Sequence, residues 1–378
     1  MKIALVTETY PPEINGVAMT LSQLASSMRQ RGHYIQVTRP LQRDEEQITY
    51  TNESEVRVYG FPIPNYPEMR LGIPSQVRLI REWRNNMPDI VHVATEGPLG
   101  ISAIRAAKKL GLPVISSFHT NFHNYSEYYG ASFLSPLVLA FLRWVHNNTE
   151  CSMFPTQELA DQLANKGFND TFVFGRGVNL NTFNPQRRSL KLRAKWKAND
   201  DTLVIVHVSR LAAEKNYDLL LRCYEAISRR KPDTRIVIVG SGPVENQLRR
   251  MFPNAIFTGP ISLDNREALA EIYASSDFFI YPSTTETYGN VLTESMACGN
   301  AVLAYDYAAA AMHVRSQENG VTVPLGDEDA FITASIEIAT NEKKRKKLGI
   351  EAVKTSANFE WEPVIDRYEA LLKKHLAL

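Results

Sequence analysis

The sequence predicts an α/β protein built from two doubly wound domains. Short apolar runs typical of buried parallel strands recur along the whole chain, from KIALV near the start to DFFIY before residue 282. Segments with helical periodicity lie between these runs, which indicates alternating strands and helices. The length of 378 residues suits two domains better than one. Two such domains that face each other would leave a deep cleft between their strand ends.

Composition and charge exclude several classes of protein. The chain is 44% hydrophobic and 22% charged, and its net charge of +1 provides no general field for nucleic acid. Cys151, Cys223 and Cys298 are too widely spaced for a metal pair or a disulfide framework, which favours a reducing compartment. No apolar run approaches the roughly 18 residues of a membrane span, and the N-terminus lacks a signal-peptide pattern. We therefore expect a cytoplasmic protein.

The first elements predict a βαβ unit. KIALVTE predicts a strand, a helix follows over about 18–30, and HYIQVTRP predicts the next strand. Gly16 lies in the loop after the first strand, where ligands bind in open α/β sheets. It could let the backbone approach a ligand, or it could simply serve a turn. The loop is not a GxGxxG fingerprint, so a nicotinamide-type site is not supported.

A basic amphipathic helix is predicted near residues 75–86. It combines Val77, Leu79 and Trp83 with three arginines. Such a helix could lie on an anionic membrane surface, or it could pack on the sheet with its arginines in water.

His119 follows the predicted strand VISSF, at the sheet edge that presents side chains to ligands. A histidine there could donate a hydrogen bond to a substrate, act in acid–base chemistry, or be structural. His92 lies within a strand and fits a core position better.

A polar, proline-containing segment after residue 180 predicts the domain boundary. We expect one domain over 1–185 and a second over 186–361. The amphipathic segment over 362–378 predicts a final helix.

In the second half, Arg210 and Lys215 share one loop after the strand TLVIVHV. Two cations at the carboxyl edge of a sheet suit a diphosphate, since arginine offers paired donors and lysine a point charge. The alternative is a solvated loop.

The stretch YPSTTETYGNVLTESMACG predicts a strand end, a polar turn and a helix closed by Gly299. Glu286 would lie on the turn and Glu294 in the second helical turn. Amide groups of about 287–290 would be unpaired at the helix N-terminus and would attract anions. Acidic side chains beside such a terminus suit a ligand with hydroxyls and phosphate, and a nucleotide sugar has both.

Asp327, Glu328 and Asp329 form the only DxD spacing in the second half. They precede an apolar helix, so N-capping explains them better than a metal site.

Five motifs together resemble one family over essentially the full chain: PPEINGV, SSFHTNF, GRGVN, SRLAAEKN and ETYGNVLTE. In this order they resemble the family-four retaining glycosyltransferases of the GT-B architecture. AYDYAAA and TEGPLG look like the GDP-mannose-dependent α-mannosyltransferase branch. Asn179 departs from the pattern, because many relatives carry aspartate there.

The resemblance implies roles for particular residues. His119 and Glu286 would be the catalytic residues beside the transferred sugar, and Glu294 would bind the ribose. Arg210 and Lys215 would clamp the diphosphate. The remaining donor-binding residues would be Gly16 in the first loop and, around the helix N-terminus, Thr287, Tyr288, Gly289 and Asn290. The helix over 362–378 would return to the first domain.

The function that the resemblance implies is transfer of a hexosyl group, α-mannosyl from GDP-mannose, to an acceptor hydroxyl such as that of a glycolipid. It implies no metal and no cofactor, a nucleotide-sugar donor, a sugar or lipid acceptor, and no nucleic-acid partner. Peripheral contact with the cytoplasmic face of a membrane would use the helix near 75–86. Two alternatives remain: transfer from UDP-glucose or UDP-glucuronate to diacylglycerol, and an inactive nucleotide-sugar-binding protein.

Overall fold

The computed structural model describes residues 1–13, 15–42, 45, 54–63, 66–119, 135–262 and 265–376. The chain divides into two compact units. The first comprises Met1–Arg176 together with Glu362–Leu378, and the second comprises Gly177–Trp361. Each unit contains one parallel sheet with helices, as the alternation of apolar runs and helical segments predicts.

The first unit is built on a seven-stranded parallel sheet with the order β3-β2-β1-β6-β7-β8-β9. Its strands are β1 (Lys2–Val6), β2 (Tyr34–Pro40), β3 (Glu55–Val58), β6 (Ile90–Val93), β7 (Val114–Ser117), β8 (Cys151–Phe154) and β9 (Thr171–Val173). The strands β4 (Gly60–Ile63) and β5 (Tyr66–Gly72) form a separate antiparallel pair. The strand order reverses between β1 and β6, so the loops after these strands border the topological switch point.

Six helices of the first unit lie in the described ranges: α1 (Gly16–Gln30), α2 (Gln76–Asn85), α3 (Pro98–Leu110), α4 (Ser135–His146), α5 (Gln157–Ala164) and α14 (Trp361–Leu376). The helix α14 is the final helix, and its first residue, Trp361, is the last residue of the second unit. The helix α1 begins two residues earlier than predicted, because the Asn15 side chain accepts hydrogen bonds from Val17 and Ala18 amides. The last three residues of the SSFHTNF motif, 120–122, lie outside the described residues.

The helix α2 packs on the core of the first unit, as one of the two interpretations of its sequence predicts. Leu79 and Trp83 are buried in the core that also contains α3, while Arg81 and Arg84 are exposed. Val77 is 75% exposed despite its apolar side chain. Burial of one face explains the amphipathic pattern without a membrane, and contact with a membrane is not shown.

The second unit repeats the design with a six-stranded parallel sheet of order β12-β11-β10-β13-β14-β15. The strands are β10 (Leu203–Val208), β11 (Thr234–Val239), β12 (Ile256–Gly259), β13 (Phe278–Tyr281), β14 (Ala301–Tyr305) and β15 (Val321–Val323). The helices are α6 (Leu190–Lys195), α7 (Tyr217–Arg230), α8 (Glu245–Met251), α9 (Arg266–Ala274), α10 (Asn290–Ala297), α11 (Ala308–His313), α12 (Glu328–Thr340) and α13 (Glu342–Ser356). Here the switch point lies between β10 and β13.

The structure divides the chain after Arg176, whereas the composition of the sequence indicates a division after residue 185. The amide of Val178 donates to the carbonyl of Phe359 at 2.9 Å, and Val178 also bridges to Glu360. A Cβ atom on Gly177 would lie 2.5 Å from the Cα of Trp361. This long-range backbone contact ties the segment after Arg176 to the second unit, and composition cannot reveal it.

Candidate active site

Two loops of the second unit leave adjacent strands at the switch point. One follows β10 and carries Arg210 and Lys215, and the other follows β13 and carries Glu286. β10 and β13 pair directly, with Ile205 opposite Phe278. Open α/β sheets bind ligands at this place, outside the carboxyl ends of the strands.

Lys215 and Glu286 form a buried ion pair between these loops. Lys215 Nζ contacts Glu286 Oε1, and it also donates to Ser283 Oγ at 3.3 Å. Two hydroxyl groups, those of Tyr281 and Ser283, donate to the same carboxylate oxygen. Burial raises the pKa of Glu286, but the Lys215 charge and these hydrogen bonds outweigh it and lower the pKa below its usual value. Glu286 is therefore an ionised carboxylate at neutral pH.

Arg210 belongs to the same loop as Lys215 but has a different acidic partner. Its guanidinium donates to Glu214 Oε1 at 2.6 Å, and the Glu214 side chain is almost fully buried. The Arg210 side chain is 32% exposed. The structure thus brings both cations to the strand end, with Arg210 the more accessible of the two.

Glu294 lies in the second turn of α10, as the sequence predicts, and is paired with Arg266. The guanidinium of Arg266, at the start of α9, contacts Glu294 Oε1 at 2.5 Å and lies over the Phe183 ring at 4.8 Å. Glu294 Oε2 is buried and has no hydrogen-bond partner among the described residues. Burial raises the pKa of Glu294, and the Arg266 charge together with the nearby Tyr273 hydroxyl only partly opposes this. Glu286 and Glu294 therefore sit in two separate charged clusters.

The N-terminus of α10 is open toward the Glu286 loop. Gly289 precedes the helix with a φ of +98°, a left-handed conformation that disfavours residues with a side chain. The helix receives no side-chain cap there. Thr287, Gly289 and Asn290 are partly exposed. A cavity beside Glu286 is lined in part by Ser283, Gly289 and Tyr307.

Tyr288 differs from its neighbours, because its side chain points into the core. Its ring is buried, its hydroxyl contacts His313 Nε2 at 2.7 Å, and its carbonyl accepts from the Ala309 amide. The Tyr288 hydroxyl is therefore directed to His313, while the residue also lines the cavity beside Glu286. The one-dimensional motif cannot distinguish an inward from an outward side chain in a turn.

In the first unit, His119 is buried directly after β7. Its Nε2 atom lies 2.8 Å from Ser117 Oγ, and its Nδ1 atom lies 3.3 Å from the Arg176 guanidinium. Burial, together with the charges of Arg176 and nearby histidines, holds the pKa of His119 well below its usual value. His119 is therefore neutral. Gly16 is the exposed first residue of α1, and its carbonyl accepts from Thr20 Oγ1.

Sequence reasoning missed two arginines that contact predicted site residues. Arg176 is the second residue of the GRGVN motif, and its place between two glycines after a strand was a usable signal. Arg266 lies in no motif, and only the folded chain brings it to Glu294.

The described part of the chain contains no cluster of three or more histidine, cysteine or acidic side chains that could hold a metal ion. Asp327 caps α12 by accepting from the Ala330 amide at 3.0 Å, which confirms the capping interpretation. None of the described helices combines the length and apolar content needed to cross a bilayer.

Comparison with known protein families matches both halves of the chain. Residues 14–182 match "Glycosyltransferase Family 4", and residues 189–355 match "Glycosyl transferases group 1". A GDP-mannose-dependent alpha-mannosyltransferase of Corynebacterium glutamicum is 31% identical, over 98% of this chain and 86% of the relative. An alpha-monoglucosyldiacylglycerol synthase of Streptococcus pneumoniae is 27% identical, over 81% of this chain and 71% of the relative.

Solved structures show the same fold at lower identity. A sucrose-phosphate synthase from Thermosynechococcus elongatus superposes with a TM-score of 0.78 at 18% identity, over 100% of this chain and 99% of the other. An Anabaena protein solved in complex with UDP-glucose superposes with a TM-score of 0.74 at 18% identity, over 99% and 100% of the two chains. With the two parallel α/β units and the family matches, these findings establish that the chain is a hexosyltransferase and belongs to the family-four glycosyltransferases of the GT-B fold.

Proposed function

We propose that this glycosyltransferase moves an α-mannosyl group from GDP-mannose to an acceptor hydroxyl, with retention at the anomeric carbon and without a metal. The full-length similarity to a GDP-mannose-dependent alpha-mannosyltransferase supports the choice of donor. The observation that carries the proposed chemistry is the Lys215–Glu286 pair at the switch point, beside the open N-terminus of α10.

In this proposal Lys215 serves two anions at once. An ammonium group has three N–H donors, so Lys215 can keep its contact with Glu286 while it donates to a phosphate oxygen. Arg210 can offer its partly exposed guanidinium to the same diphosphate, because a guanidinium has five N–H donors and the contact with Glu214 Oε1 is made through Nη2 alone. The amides at the start of α10 add their partial positive charge.

The two glutamates then hold the two sugars of the donor. The contacts of Glu286 with Lys215, Tyr281 and Ser283 go to Oε1. We therefore propose that Oε2, which lies toward Gly289, binds mannosyl hydroxyls. Glu294 would bind the ribose, with its charge balanced by Arg266 at Oε1. Gly16 would let backbone amides of the first unit meet the donor phosphate.

The reaction needs no protein nucleophile. The bond from the anomeric carbon to the diphosphate oxygen breaks, and its electron pair leaves with the diphosphate. Lys215, Arg210 and the helix amides stabilise that growing negative charge. The acceptor oxygen attacks the same face of the oxocarbenium-like centre, and its proton passes to the departing phosphate. Glu286 opposes the positive charge of that centre.

Lys215→Ala tests this arrangement. We expect turnover to fall by roughly 100-fold or more, because a charge that acts on the leaving group is lost. Lys354→Ala is a matched control, since Lys354 is an exposed lysine of the same unit that pairs with Glu351 at 2.7 Å. Near-normal turnover in Lys215→Ala, measured by GDP release from GDP-mannose, would reject the role of Lys215.

Calorimetry with GDP separates the two glutamates. Glu286→Gln should reduce transfer and largely retain GDP binding, because Glu286 is assigned to the transferred sugar. Glu294→Ala should weaken GDP binding itself. The reverse pattern would show that the assignments are exchanged.

A second candidate is transfer of a glucosyl or glucuronosyl group from a UDP-sugar to diacylglycerol. The similarity to the alpha-monoglucosyldiacylglycerol synthase and to a protein solved with UDP-glucose favours it. A thermal-shift panel of GDP-mannose, UDP-glucose and UDP-glucuronate distinguishes the two, because a ligand that binds only the folded protein raises Tm. A shift with a UDP-sugar and none with GDP-mannose would favour this second candidate.

A lipid acceptor would bring the protein to the cytoplasmic face of a membrane. We propose that α2 makes this contact through exposed Val77, Arg81 and Arg84. Sedimentation with anionic vesicles should recover the protein, and the double variant Arg81→Glu, Arg84→Glu should lose it. Equal recovery of both proteins would exclude α2 as the contact.

A further inference from the structure

A buried row of polar side chains in the first unit connects His119 to the final helix. Arg176 lies 3.3 Å from His119 Nδ1, and His119 Nε2 lies 2.8 Å from Ser117 Oγ. Ser117 Oγ lies 2.7 Å from His92 Nε2, and His92 Nδ1 lies 3.0 Å from the Tyr368 hydroxyl. All five residues are buried. We call the row Arg176–His119–Ser117–His92–Tyr368 the relay.

The Arg176 guanidinium determines which ring nitrogen of His119 carries the proton. A guanidinium has only N–H donors, so His119 Nδ1 must accept from Arg176. A neutral imidazole carries one N–H, which is then on Nε2 and donates to Ser117 Oγ. The Ser117 hydroxyl keeps its own hydrogen for His92 Nε2. His92 in turn carries its hydrogen on Nδ1, toward Tyr368.

The surroundings keep both histidines neutral. Burial lowers the pKa of His92 to about 3. The charged or titratable groups that act on His119 are Arg176, His92 and His146, and each of them is cationic when charged, so each opposes protonation of His119. His146 itself faces Glu96, with Nε2 to Oε1 at 3.2 Å.

We propose that the relay holds His119 as its neutral Nε2–H tautomer, so that His119 offers a sugar hydroxyl an acceptor, Nδ1, and never an acid. The contact to Arg176 is the longest link of the relay, whereas Nε2 is anchored by a shorter bond. A hydroxyl therefore replaces Arg176 at Nδ1 more readily than it replaces Ser117 at Nε2, and because it donates its own hydrogen to Nδ1 it keeps the Nε2–H tautomer. The tautomer stands on geometry alone, while the acceptor role rests on the proposed function. Ser117, His92 and Tyr368 are positioning residues.

The tautomer can be measured without substrate. Long-range ¹H–¹⁵N spectra of the ¹⁵N-labelled full chain distinguish the two neutral tautomers and the cation of each histidine, with assignment by loss of signal in His119→Asn and His92→Asn. We expect His119 to show the Nε2–H pattern unchanged from pH 5.5 to 8.5. An Nδ1–H pattern, or titration in this range, would overturn the relay whatever the activity of the variants.

Variants of Arg176 test the direction of the relay. Arg176→Met removes the donor to Nδ1, so the Nδ1–H tautomer should become populated, whereas Arg176→Lys keeps a donor and should retain Nε2–H. Arg29→Met is the control: it removes another guanidinium of the first unit, one that donates to the Ile35 carbonyl, and should leave the His119 signals unchanged. If Arg176→Met does not fold, the wild-type spectrum still decides.

Kinetics with GDP-mannose as the probe test the acceptor role. Ser117→Ala should lower kcat by about 10-fold, because the His119 ring loses the hydrogen bond that orients it. KM should change little, because the residues proposed to bind the donor phosphates are unaltered. If His119→Ala is fully active and the wild-type spectrum shows Nε2–H, the acceptor role of His119 is wrong, although the proposed tautomer is confirmed. If GDP-mannose is not turned over by the wild type, the proposed donor fails, and the spectrum still tests the relay.

Discussion

Arg266→Met tests whether Glu294 is a buried carboxylate that depends on a single cation. The pair is short, Glu294 is nearly buried at 8% side-chain exposure, and its second oxygen has no partner among the described residues. Methionine preserves much of the length of arginine and its contact with Phe183, but removes the charge. The variant therefore leaves a buried charge without its partner, which costs far more than loss of a surface ion pair.

The magnitude follows from the burial of the pair. Burial already raises the pKa of Glu294, and loss of the Arg266 charge should raise it further. Removal of one partner of a buried ion pair costs about 3 kcal/mol of unfolding free energy or more. When folding raises the pKa of a carboxyl group, the protein loses stability as the pH rises from the unfolded pKa of that group through its folded pKa. The difference between wild type and variant should therefore shrink as the pH is lowered toward the unfolded pKa of a glutamate, and it should be larger at pH 8 than at pH 5.

Urea denaturation with pulsed hydrogen exchange, read by mass spectrometry, gives the unfolding free energy of each unit from its own peptides. In Arg266→Met, peptides over residues 266–297 should show a lower unfolding free energy, and peptides over residues 2–40 should not. Glu294→Gln combined with Arg266→Met should recover most of the stability, because no charge is then left buried. Arg249→Met is the control: it breaks an exposed pair with Glu245 and should cost no more than about 0.5 kcal/mol.

The reasoning is refuted if Arg266→Met loses the same free energy at pH 5 and pH 8. That result would mean that Arg266 contributes by packing over Phe183 rather than by its charge. Failure of Glu294→Gln to rescue the variant would lead to the same conclusion.

Two further predictions concern the rest of the fold. Gly177→Ala should destabilise the second unit by roughly 2 kcal/mol or more in urea, because its Cβ would lie 2.5 Å from backbone of Trp361, and an unchanged midpoint would contradict that contact. Glu8 accepts from the amides of Gly72 and Leu99, and burial raises its pKa to about 7. The first unit should therefore lose up to about 3 kcal/mol of stability as the pH rises from about 4.5 to 7. Glu8→Gln should remove this pH slope, and an identical slope in both proteins would show that another group causes it.

Local pattern was sufficient to predict the secondary structure that frames the site. The strand before Arg210, the strand before Glu286 and the helix that carries Glu294 all lie where the sequence places them. Apolar runs and capping residues act between near neighbours in the chain, so their effect is readable in one dimension. The ionised state of Glu286 was not readable, because its partner Lys215 lies 71 residues away.

The sequence by itself determined that this chain forms two doubly wound α/β units and carries the motifs of a glycosyltransferase. Only the tertiary structure decided that Arg266 pairs with Glu294, that Tyr288 turns inward, and that the segment after Arg176 joins the second unit. It also decided that His119 is linked through His92 to Tyr368, 276 residues beyond His92. Strand and helix formation depend on periodicity within a segment, whereas charge pairing and proton position depend on which distant side chains share a buried volume.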